Sequence, residues 1–134
     1  PVPAVCVSLT DAEVASVIGP VKSKNPIIDA ATTCVWTGDR VTFSIMRTPD
    51  ADEGSATAVL DSLKTRARAG DVITEESGIG RRAVSEAVSR GGSVSIIAVS
   101  GTTMWTIRVE HVYGGLKAEE LLPKLRTIAK KIVR

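Results

Sequence analysis

The stretch Ala83-Val84-Ser85-Glu86-Ala87-Val88-Ser89-Arg90-Gly91-Gly92-Ser93-Val94-Ser95-Ile96-Ile97-Ala98-Val99-Ser100-Gly101-Thr102-Thr103-Met104-Trp105-Thr106-Ile107-Arg108-Val109-Glu110-His111-Val112 decides the fold. Trp105, Ile107 and Val109 alternate with Thr106, Arg108 and Glu110. That period of two buries one face of a strand and leaves the other toward water. Gly91-Gly92 and Ser100-Gly101 interrupt the pattern as turns. The spacing predicts an antiparallel meander over 83–89, 93–99 and 102–112.

Working outward, 33–37 and 41–46 read as a hairpin around Gly38-Asp39, with glycine expected to supply the positive φ of a tight turn. Val41, Phe43 and Ile45 alternate with Thr42 and Ser44. Val72 to Thr74 reads as a further short strand. Before the hairpin, Thr10 and Glu13 have the spacing of a capping box, and Gly19-Pro20 ends that helix. The segment from there to Ala31 is polar, contains Pro26, and reads as irregular. A second helix opens at Asp50 or Asp52, with Ala56, Val59, Leu60, Leu63 and Ala67 as its apolar stripe and Gly70 as its stop. After Gly114-Gly115, a last helix has a wide apolar face of Ala118, Leu121, Leu122, Leu125, Ile128, Ala129 and Ile132, and Pro123 is expected to kink or split it. The expected fold is α+β, an antiparallel sheet of about five strands covered by helices in the order α-ββ-α-βββ-α. Residues 1–134 form one domain on this reading.

Composition narrows the function classes. The 134 residues are 43% hydrophobic and 24% charged, which excludes disordered, collagen-like and disulfide-dense chains. No run reaches the roughly 18 apolar residues of a membrane span. Trp36, Trp105, Tyr113 and Phe43 are the only aromatics, too few for a sugar-binding or base-stacking platform once the core takes its share. The net charge of +2 argues against nucleic acid as a partner. Cys6 and Cys34 admit a redox pair, half a metal site, two buried thiols or a disulfide. Their spacing matches no zinc or C-x-x-C pattern, which favours the disulfide. It would close a loop of about 29 residues and implies an oxidising compartment. The chain opens Pro1-Val2-Pro3, as expected of a trimmed segment whose upstream part held a secretion signal or a lipoprotein anchor.

The run Cys6-Val7-Ser8-Leu9-Thr10-Asp11-Ala12-Glu13-Val14, with Gly19 and then Cys34-Val35-Trp36, resembles a family of small domains of unknown function in actinobacterial secreted proteins and lipoproteins. The Gly78-Ile79-Gly80 loop ahead of a meander is similar to theirs. Val7-Ser8 and Arg81 depart from that pattern. The resemblance implies an extracytoplasmic location, a Cys6–Cys34 disulfide and a PsbP-like α+β sandwich. It implies no reaction.

Several residues invite chemistry. His111 is the one imidazole, and a Ser-His or Cys-His site would need it beside a nucleophile. Its place at a strand end suits a partly buried, hydrogen-bonded histidine equally well. Gly80, Arg81 and Arg82 could hold an anion with bare amides and two guanidinium groups, although a tight turn explains the glycines as well. Trp36, Trp105 and His111 could line a ligand pocket. Asp50, Asp52 and Glu53 read as helix capping rather than a calcium loop. No metal site, cofactor or catalytic group is expected. The expected function is a non-enzymatic extracytoplasmic domain that binds a small ligand or an envelope protein. An assembly subunit and an enzyme using His111 are the alternatives.

Overall fold

The structure is a computed structural model describing residues 4–28 and 32–133. The chain runs α1 (Ala4–Val7), α2 (Asp11–Ile18), β1 (Ser23–Ile28), β2 (Thr32–Thr37), β3 (Val41–Thr48), α3 (Glu53–Arg66), β4 (Val72–Glu76), β5 (Arg82–Ala87), a 3-10 turn (Ser89–Gly91), β6 (Ser93–Ser100), β7 (Thr103–His111) and α4 (Ala118–Ile132). All seven strands lie in one antiparallel sheet ordered β1-β2-β3-β7-β6-β5-β4. The α+β class is as expected. The five strands and the order α-ββ-α-βββ-α are corrected to seven and α-α-βββ-α-ββββ-α.

Of the two added strands, β4 is expected only as a short stretch and β1 not at all. Residues 23–27 are all exposed, so no alternation marks them, and Pro26 counts against a strand. Pairing with β2, from Ser23↔Thr37 to Ile28↔Thr32, makes the segment a strand. It lies at the sheet edge, where proline is tolerated. The end of the segment expected to be irregular, residues 29–31, lies outside the described residues, as do Pro1-Val2-Pro3 and Arg134. The short strand expected from Val72 extends to Glu76 as an edge strand. Helix α4 continues through Pro123 rather than splitting, because the gap in its hydrogen-bond ladder falls on the exposed side.

The sheet is two meanders joined where β3 pairs with β7, from Val41↔His111 to Thr48↔Met104. Helix α3 carries the chain from mid-sheet to the far edge. In-register rows such as Cys34–Ile45–Ile107–Ile96 and Trp36–Phe43–Val109–Val94 form one apolar face. Helices α1, α2 and α4 cover it. On the other face, Ala56, Leu60 and Leu63 of α3 pack on Val84, Ile97 and Val99. Beyond α3 that face presents half-buried Thr33, Val35, Thr42, Ser44, Met46 and Thr106. The Thr10–Glu13 capping box forms, and Asp52 caps α3 through the Ser55 amide.

Cys6 and Cys34 form a fully buried disulfide with Cα atoms 5.2 Å apart. It ties α1, too short to persist alone, to β2. Replacing both cysteines with alanine will lower the unfolding free energy by about 3 kcal/mol, read as a fall in the urea midpoint.

The β4 edge is fastened differently. The Glu76 side chain is only 6% exposed. Arg126 of α4 donates to both its oxygens, Nε–Oε1 at 2.5 Å and Nη2–Oε2 at 3.1 Å, and Ser85 Oγ donates at 2.9 Å. Arg126 holds the carboxyl below its ordinary value of 4.5, against the opposing effect of burial. The unfolded chain therefore binds this proton more readily. The group's stabilisation is complete above its ordinary value and is lost as pH falls through its lower folded value. Glu76→Gln will cost about 2 kcal/mol at neutral pH. Urea titrations from about pH 6 to about pH 3 will show a shallower loss of stability in that variant than in the parent chain.

Candidate functional site

The residues singled out from sequence separate into three places. Trp36 is 0% exposed and meets Phe43 edge-on at 5.5 Å, and Trp105 is 8% exposed. Both belong to the core beneath the helices. Their indole Nε1 groups have no hydrogen-bond partner among the described residues. His111 ends β7, half-buried opposite Val41. The pocket expected from these three is therefore two core indoles and a separate strand-end imidazole.

Gly80, Arg81 and Arg82 do meet, at the start of β5. Arg81 Nη1 lies 3.0 Å from Glu53 Oε1. Arg82 reaches Asp61 at 2.8 Å and Glu75 at 2.7 Å. The Arg81 amide donates to the Val99 carbonyl, and a Cβ on Gly80 would stand 2.5 Å from that same oxygen. Carboxylates already neutralise both guanidinium groups, and the glycine serves a close approach of two backbones.

A groove of about 290 Å³ between α2 and α4 is lined by Glu13, Ser16, Lys124, Thr127 and Ile128. Periodicity gave no sign of it, because it arises only where two helices meet. Its polar groups are already engaged. Lys131 Nζ pairs with Glu13 at 2.6 Å, and Lys124 Nζ donates to the Ser16 carbonyl at 2.9 Å. These contacts hold the helices together, and a ligand would have to break them.

A different site lies at the opposite end of β5 from Arg82. Three connections meet there: the β2–β3 turn, the β5–β6 turn and the segment from β7 to α4. Six consecutive amides, His111 through Leu116, each donate a hydrogen bond. His111 donates to Gly92 O at 3.1 Å and Val112 to Arg40 O at 2.9 Å. Tyr113 donates to His111 Nδ1 at 3.1 Å. Gly114 donates to His111 O at 3.1 Å, Gly115 to Arg90 O at 2.9 Å and Leu116 to Gly91 O at 2.9 Å. Because Nδ1 accepts, the neutral His111 ring carries its proton on Nε2. A connection this fully bonded has little freedom left to lose on binding.

This fixed loop exposes apolar surface. Val112 is 75% and Tyr113 73% exposed, the highest fractions among the exposed large hydrophobic side chains of the described residues. The other three aromatics are 0–8% exposed. The Arg40 guanidinium lies over the Tyr113 ring at 5.2 Å, within cation–π range. The His111 ring stands 6.3 Å away, tilted by 57°. The spacing predicts a strand over 102–112 and assigns Tyr113 to neither face. The strand ends at His111, and the turn carries the tyrosine outward.

Two glycines permit the arrangement. A Cβ on Gly91 (φ 67°) would stand 2.5 Å from the Leu116 backbone, and one on Gly114 (φ 73°) 2.7 Å from the Arg90 carbonyl. One on Gly115 (φ 86°) would meet nothing within 4 Å. Gly91→Ala and Gly114→Ala will each cost about 3 kcal/mol in urea unfolding, and Gly115→Ala about 1 kcal/mol, the price of its backbone conformation alone.

No protein-family model, curated protein or solved structure matches the chain.

Proposed function

We propose that this chain is a non-enzymatic extracytoplasmic domain that binds a protein partner through the loop bearing Val112 and Tyr113. The observation that carries the reading is the pairing of exposure with rigidity. The most exposed aromatic and its apolar neighbour sit on backbone whose amides are all hydrogen-bonded. Protein interfaces draw their energy from a few aromatic and arginine side chains, and such anchors bind best when ordered beforehand. Tyr113 with Arg40 across its ring fits that role. A small ligand receives less support, because Trp36 and Trp105 are buried within the core.

The disulfide supports the compartment in this reading. A buried Cys6–Cys34 bond persists where thiols are oxidised, as outside the cytoplasm. No helix of the described residues is long and apolar enough to cross a membrane. The resemblance of Cys6 to Val14 and of Cys34-Val35-Trp36 to secreted actinobacterial domains supports the same location.

The test places a photoactivatable phenylalanine analogue at position 113 and, in a parallel chain, at exposed Val59 on α3. Irradiation of cells exporting each chain will give an adduct of defined mass from position 113 and none from 59. Equal labelling at both positions, or none at 113, overturns the reading. Tyr113→Ala will change stability by less than about 0.5 kcal/mol, so its effect on capture reports contact rather than unfolding.

A further inference from the structure

We infer that the partner surface is acidic, its carboxylates gripped by Arg40 and Arg90 on either side of Tyr113. This inference rests on the reading that the Tyr113 loop is the binding surface, and it names the chemistry that loop recognises.

Three observations carry it. The first is placement. In the sheet order β7 lies between the two turns, and the loop that follows it is bonded to both. The carbonyl of Arg40 accepts from Val112 and that of Arg90 from Gly115. Their side chains therefore leave backbone fixed to the same loop.

The second is pairing. Arg81, Arg82, Arg108 and Arg126 all face carboxylates. Arg40 and Arg90, like Arg47, Arg66 and Arg68 elsewhere, form no ion pair among the described residues, and both are exposed. Lys117, exposed beside the same loop, also forms none.

The third is backbone conformation. Arg40 has φ 60° and Arg90 φ 67°, in the left-handed region that glycine favours. Each turn has a glycine in it. Gly38, expected to supply positive φ, does not; in the other turn Gly91 (φ 67°) does, directly beside Arg90, while Gly92 adopts right-handed helical angles. Both turns thus hold an arginine where backbone preference calls for glycine or asparagine. A role for the side chain accounts for that choice.

Guanidinium groups grip carboxylates through two parallel hydrogen bonds. Asp39 precedes Arg40 in the β2–β3 turn and Glu110 precedes His111 at the end of β7, paired loosely with Lys22 at 3.7 Å and Arg108 at 3.6 Å. A uniformly anionic lipid surface would be repelled by these two residues. A protein surface with localised carboxylates can avoid them.

The test uses the full disulfide-bonded chain, with labelled poly-L-glutamate and phosphatidylglycerol vesicles as probes. Arg40→Asn/Arg90→Asn removes both charges and keeps a residue type that accepts left-handed backbone. Lys130→Gln removes a charge from the far end of α4. The parent chain and Lys130→Gln will bind polyglutamate alike, more weakly as salt rises, and the double variant about tenfold more weakly. Equal binding by the double variant, no binding by the parent, or tighter binding to vesicles than to polyglutamate overturns the inference. Photo-adducts at position 113 that persist in the double variant would leave the binding surface standing and remove its acidic partner. Arginine-dependent polyglutamate binding with no adduct at 113 would keep the anion grip and remove the protein-binding reading.

Discussion

The pairing of β3 with β7 is the constraint on which the rest of the molecule depends. It joins two meanders that are otherwise separate, over eight residue pairs from Val41↔His111 to Thr48↔Met104. The central core rows exist only because that register aligns Phe43 with Val109 and Ile45 with Ile107. A shift of one residue would turn every one of these side chains to the wrong face. The partners are about sixty positions apart, so α3 and three strands lie between the two sides of the seam in the chain. Non-local closure of this kind slows folding.

The Tyr113 loop continues that seam. Beyond Val41↔His111, the Val112 amide still bonds to the Arg40 carbonyl, as if the ladder ran one step further. The neighbouring β5–β6 turn then takes over, accepting from Gly115 and Leu116. The sheet thus organises its own end, and the loop inherits the rigidity of the ladder. Charge is distributed unevenly over the same frame. Arginines along β5, β7 and α4 are neutralised by acidic neighbours, whereas those in the two turns are left to solvent and to Tyr113.

Much of the fold was legible because its signals are local. The Thr10–Glu13 capping box, the alternation along β3 and β7, and Ala56, Leu60 and Leu63 of the α3 stripe each follow from residues within one element, whereas Val59 and Ala67 of that stripe stay exposed. The disulfide was legible from the cysteines and their context. β1 was not, because a strand exposed throughout carries no period and depends on a partner. α1 was not, because four residues make no pattern and the cross-link fixes them. The site was legible only at His111. Tyr113 lies just past the strand expected over 102–112, where alternation says nothing, and nothing local reveals that two turns far apart in sequence offer their carbonyls to one loop. The arginines of the Gly80 loop drew attention by adjacency, but Glu53, Asp61 and Glu75 come from elements that sequence does not place beside them.

The cross-link between Cys6 and Cys34 also sets how the molecule bears mechanical load. Tension applied upstream of Cys6 passes through the sulfur bridge into β2 and reaches the sheet there. Residues 7–33, with α2 and β1 among them, lie off that path. They carry no force while the bridge is intact, so a pull cannot peel the first helices away one after another. The force enters the sheet at Cys34, inside β2, rather than at the edge strand β1.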